Sequence, residues 1–106
     1  MPRYDKLVRD RIPDQLAERG IGHRVRTLVD SEFRTALEAK LREEVAEFEA
    51  ASDPDARLAE LADILEVVHA LGRIEVATPE DVEVRRADKA RQAGGFEQRL
   101  FLIDTE

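Results

Sequence analysis

Four carboxylates are spaced symmetrically about one turn: Glu44 and Glu47 before it, Glu60 and Asp63 after it. The turn is Ser52-Asp53-Pro54-Asp55, centred between residues 53 and 54. If both flanks are helices that fold back on each other, the rungs of the hairpin pair Glu47 with Glu60 and Glu44 with Asp63. Carboxylates converging on one small volume repel unless a cation holds them. All four ligands are hard oxygens, which suit Mg²⁺, with Mn²⁺ as a substitute. Such an ion shares its shell with substrate phosphates, polarises a phosphoryl group and lowers the pKa of a bound water. Phosphoanhydride hydrolysis is therefore the reaction class the residues predict. A di-iron bundle would place His at Glu-x-x-His spacing. Here Glu47 and Asp63 stand at those positions, which argues against a redox di-iron site.

The elements that must position these groups are helical. A helix over residues 31–51, capped by Asp30 or Ser31, carries the stripe Phe33, Leu37, Leu41, Val45 and Phe48. On a helical wheel Glu44 lies about 60° from the stripe centre, Glu47 about 120° and Glu43 about 160°. Glu44 and Glu47 should lean towards the partner helix, and Glu43 should point away or towards another chain. A second helix over residues 55–76 is apolar around most of its circumference, through Leu58, Leu61, Ile64, Leu65, Val67, Val68, Leu71 and Ile74. Such a helix is central in a bundle. Glu60 and Asp63 sit within its apolar arc, where an ionised carboxylate is costly unless paired or metal-bound. A shorter helix over residues 13–19 and a third main helix from the Thr78-Pro79-Glu80-Asp81 cap to Ala93 complete the set. Short strands are expected at His23–Val29 and Leu100–Ile103. The fold class is an all-α bundle built on an antiparallel helix hairpin. It is thin enough that a homodimer or higher homo-oligomer is needed to cover the second helix.

A chain of 106 residues is read as one domain, residues 1–106. Charged residues make up 39%, aromatics only 5%, and there is no Cys, which excludes disulfides and thiolate metal sites. No apolar run approaches the ~20 residues of a membrane span, and the N-terminus lacks the apolar stretch of a signal peptide. A cytoplasmic protein without membrane contact is expected. The net charge of −7 is unevenly placed: residues 1–29 hold seven basic and four acidic residues, residues 30–83 five and sixteen, and residues 84–99 five and two. The acidic centre argues against duplex DNA as a partner. Basic flanks around an acidic middle fit a polyphosphate whose metal sits on the carboxylates and whose oxygens meet Lys and Arg.

The pattern Glu44-x-x-Glu47, twelve residues, then Glu60-x-x-Asp63, preceded by Glu43, resembles the signature of the all-α nucleoside triphosphate pyrophosphohydrolases. That superfamily includes MazG-like proteins, dimeric dUTPases and phosphoribosyl-ATP pyrophosphohydrolase. The opening Tyr4-Asp5-Lys6-Leu7-Val8-Arg9-Asp10-Arg11-Ile12-Pro13 and the ending Lys89-Ala90-Arg91-Gln92-Ala93-Gly94-Gly95-Phe96 are similar to a small single-domain MazG-like branch. The resemblance implies a bundle that usually dimerises, binds Mg²⁺ and cleaves a nucleoside triphosphate between its α- and β-phosphates, releasing the monophosphate and pyrophosphate in a house-cleaning role. It implies Glu44, Glu47, Glu60 and Asp63 as metal ligands, with Glu43 or Glu47 orienting the attacking water. Lys6, Arg9, Arg11, Lys89, Arg91 and Arg99 are candidate phosphate contacts. The rival readings are a phosphoribosyl-ATP pyrophosphohydrolase-like enzyme, a non-catalytic helical oligomer that binds nucleotide or metal, and a structural interaction module.

Overall fold

The computed structural model describes residues 2–106. Its elements are α1 (Ile12–Glu18), α2 (Asp30–Ala50), α3 (Pro54–Ile74) and α4 (Pro79–Ala93). The architecture is an all-α bundle. The expected strands at His23–Val29 and Leu100–Ile103 do not pair, and no strand forms among the described residues. Both runs are short and neither finds a sheet edge, without which an isolated strand has no hydrogen-bond partner.

The α2–α3 hairpin is built by the residues between its arms. Asp53 caps α3, its Oδ1 accepting the Ala56 N–H at 2.9 Å, and Pro54 occupies the first turn. Arg57 then ties the new helix to the end of the old one. Its Nη1 donates to the carbonyls of Phe48 (3.3 Å) and Ala51 (3.1 Å), and its guanidinium stacks on the Phe48 ring at 4.1 Å. These bonds satisfy carbonyls left free at a helix C-terminus. Asp53→Ala is expected to cost about 1 kcal/mol of stability, read as a lower urea midpoint at unchanged m-value. An unmoved midpoint would show that the cap contributes nothing.

The other helix ends differ in detail from expectation. Val29, not Asp30 or Ser31, is the capping residue of α2, and its N–H donates to Glu32 Oε1 at 3.3 Å. Arg26 grips the same carboxylate with two bonds of 3.0 Å. At α4 the expected cap forms: Thr78 Oγ1 accepts the Asp81 N–H (3.1 Å) and Asp81 Oδ2 accepts the Thr78 N–H (2.9 Å). Gly72 lets α4 close onto α3, because a Cβ there would stand 3.3 Å from Val82 Cγ2.

The single chain has little interior. Leu37 and Val67 are its buried apolar residues among those described. Phe33, Leu41, Phe48, Ile64, Val68, Leu71 and Ile74 are half-buried, and Val45, placed on the α2 stripe by its spacing, is exposed. The radius of gyration is 18.1 Å, against about 13 Å for a compact domain of this length. No helix among the described residues is long and apolar enough to cross a membrane.

Candidate metal centre

Packing α2 against α3 brings five carboxylates together. Oxygens of Glu43, Glu44 and Glu47 lie within 4.8 Å of one another, and so do oxygens of Glu44, Glu60 and Asp63. Glu44 belongs to both groups and joins the two helices. Glu44 and Asp63 meet as the hairpin symmetry predicts. Glu47 gathers with Glu43 and Glu44 rather than in the Glu60 group, so the site is a hub on Glu44, not two equal rungs. Glu43 corrects the wheel argument. Expected to point away or towards another chain, it bends into the cluster, because a glutamate side chain has enough freedom to reach round a helix flank and two cations hold it there.

Those cations are Lys6, whose Nζ lies 3.6 Å from Glu43 Oε1, and Lys40, 3.7 Å from the same oxygen and 3.6 Å from Glu44 Oε1. On the α3 side Arg9 Nη2 donates to Asp63 Oδ1 at 2.7 Å. Of the basic residues singled out in the sequence, Lys6 and Arg9 therefore reach the site. Arg91 instead bonds Asp88, one turn back on its own helix. Arg11, Lys89 and Arg99 make no ion pair with the carboxylates among the described residues. Lys40 was not singled out, although its spacing of three and four residues from Glu43 and Glu44 is the signal for a pair on one helix face.

The set is under-satisfied. Glu44 is the one buried charged residue among those described, 6% exposed, and its Oε2 has no hydrogen-bond partner. Glu60 Oε2 is likewise buried and unpartnered. A native fold rarely leaves such atoms orphaned. Burial, then the nearby charge of Glu47, pushes the Glu44 carboxyl up to about 7, with the Glu47 and Glu60 carboxylates in place to accept its proton. Lys40 opposes the shift without cancelling it. The donor set fits a hard divalent cation. Its oxygens are carboxylate only, and two are buried without partners.

The fold and site thus define an all-α hairpin protein with a clustered carboxylate centre. In sequence the chain is similar to an uncharacterized protein of Mycolicibacterium smegmatis, 53% identical over 53 residues, which is 50% of this chain and 54% of that protein. The chain therefore spans about half the length of this curated relative. No family model and no solved structure matches it.

Proposed function

We propose that the chain is a Mg²⁺-dependent nucleoside triphosphate pyrophosphohydrolase of the MazG-like kind, cutting between the α- and β-phosphates. The observation that carries this reading is Glu44, a buried carboxylate with an orphaned oxygen at the centre of four others. Nothing in core packing requires it there, and its cost is removed by a cation. Glu44, Glu60 and Asp63, with Glu47, would hold the metal. When bound, Mg²⁺ supplies charge to polarise the phosphoryl group and lowers the pKa of a bound water.

The chain's own residues divide the remaining work. Glu43 is tied to Lys6 and Lys40, whereas Glu47 is exposed and makes no ion pair among the described residues. Of Glu43 and Glu47, the two carboxylates placed to orient the attacking water, Glu47 is thus the one not held by a cation. Lys6 and Arg9 stand at the rim, more than a third exposed, where they can transfer from carboxylate to substrate phosphate. A homodimer or higher oligomer in the cytoplasm belongs to the same reading, supported by the thin core and the absence of a membrane-crossing helix among the described residues.

The test is product analysis over a panel of NTPs, dNTPs and phosphoribosyl-ATP with Mg²⁺ or Mn²⁺. Metal-dependent release of pyrophosphate and monophosphate in equal amounts is expected. Orthophosphate as the product would move the cut to the terminal phosphate. No turnover of any nucleotide would leave a metal- or nucleotide-binding oligomer in place of the enzyme.

A further inference from the structure

The chain exposes far more surface than a folded monomer of its mass. Its accessible area is 9632 Å², whereas about 6000 Å² is expected for a compact chain of 12.0 kDa. The difference is roughly 3600 Å² per chain, about 7200 Å² for a pair, which is more than the roughly 2000–5000 Å² in total that obligate interfaces usually bury. Two apolar patches are exposed on that surface.

The first lies on α3. Leu58, Leu61 and Leu65 are 66%, 47% and 53% exposed. They form one stripe, about 160° around the helix from Glu60, Asp63 and Val67, which face α2. Gly72 continues the leucine stripe, and there the chain covers it with Val82 of α4. The stripe is therefore a packing face whose cover stops short. The second patch is the C-terminal arm beyond Gly94, where the backbone turns at φ +85°. Phe96, Leu100, Phe101, Leu102 and Ile103 are 77–95% exposed along it. The chain's own arm leaves its own stripe bare.

We propose that two copies of the chain exchange C-terminal arms, the apolar side chains of each arm packing on the Leu58–Leu61–Leu65 stripe of the other copy. A two-fold exchange closes on itself and covers both patches in both copies at once. The arm turns at Phe96–Arg99, where the Arg99 N–H donates to the Phe96 carbonyl at 3.1 Å; beyond it, Leu100–Ile103 span about 13 Å when extended, which matches a stripe about 10 Å long. The exchange also braces the helix that carries Glu60 and Asp63, from its opposite side. It does not depend on the catalytic reading, since it rests on surface and packing alone.

The absence of native Cys makes a direct test available. Leu61→Cys and Leu102→Cys chains are mixed, dissociated and reassociated together, then oxidised. A disulfide joining the two variants in a covalent dimer is expected, as is a wild-type mass in light scattering of at least twice that of the chain at micromolar concentration. The chain carrying both substitutions should oxidise to a covalent dimer. A covalent monomer from that double variant would show the arm folding back on its own helix and overturn the exchange. Leu61-to-Leu61 disulfides in place of mixed ones would also overturn it, by showing two α3 helices packed together. A wild-type monomer in solution would do the same. Leu65→Glu and Phe101→Glu, each checked for retained helicity by circular dichroism, should both shift the wild-type oligomer to monomer.

Discussion

Glu44→Gln is expected to stabilise the metal-free protein while removing the stabilisation that Mg²⁺ or Mn²⁺ confers on the wild type. Both effects come from one buried carboxyl. Its pKa is near 4.5 in a free chain and is pushed up to about 7 in the fold. A carboxyl with a raised folded pKa favours the fold when protonated. That contribution is complete below about 4.5 and is lost as pH rises through about 7. At pH 8 the ionised, metal-free group costs the fold about 3 kcal/mol at most. A buried Gln amide takes back about 1 kcal/mol of what its removal gains. In chelator, the variant should thus exceed the wild type by about 2 kcal/mol at pH 8 and fall below it by roughly 0.5 kcal/mol at pH 4.5. With metal at a hundredfold its Kd the wild type gains about 2.7 kcal/mol, and the variant should gain almost none. Pyrophosphohydrolysis should fall by on the order of 100-fold or more. Denaturant melts at the two pH values, with chelator and with metal, read all of this. A gap between the proteins that ignores both pH and metal would remove Glu44 from the site.

What could be read from the sequence depended on whether a rule acts on backbone or on side-chain reach. The hairpin, the Thr78 cap and the turn at Asp53 follow from apolar period and capping chemistry, which are local, and the structure forms them. The rung symmetry correctly gathered Glu44 with Asp63, but it is a backbone rule, and it could not say that Glu44 would serve both groups or that Glu43 would bend inward towards Lys6 and Lys40. Arg9 reaching Asp63 spans 54 residues of sequence, so no local pattern reports the pairing itself. The strands failed for a related reason: β-rich composition at His23–Val29 and Leu100–Ile103 proposes a strand, but only a partner edge makes one. The apolar circumference of α3 was legible and so was its need for cover, yet Leu58, Leu61 and Leu65 remain exposed because that cover is absent from the chain itself.

Metal affinity should fall about tenfold between pH 8 and pH 6, and binding should release close to one proton at pH 6. Glu44 is again the group responsible. A ligand carboxylate must be ionised to hold a cation, and this one titrates near 7 because burial and the Glu47 charge disfavour its ionised form. Below that value the ion must displace a proton, and each further pH unit then costs about tenfold in apparent affinity for one linked proton. The two tendencies that raise the pKa are also those that favour the metal, since a divalent charge relieves both the desolvation and the repulsion. Titration calorimetry with Mn²⁺ in two buffers of different ionisation enthalpy counts the released proton directly. In Glu44→Gln the affinity should be weak at both pH values and the proton count near zero at pH 6. If Glu44→Gln keeps the wild-type pH dependence, the linked proton belongs to another carboxylate and the centre is not organised around Glu44. If affinity is flat from pH 6 to 8 in the wild type, the cation binds only at exposed groups such as Glu47 and leaves the buried oxygens of Glu44 and Glu60 unused.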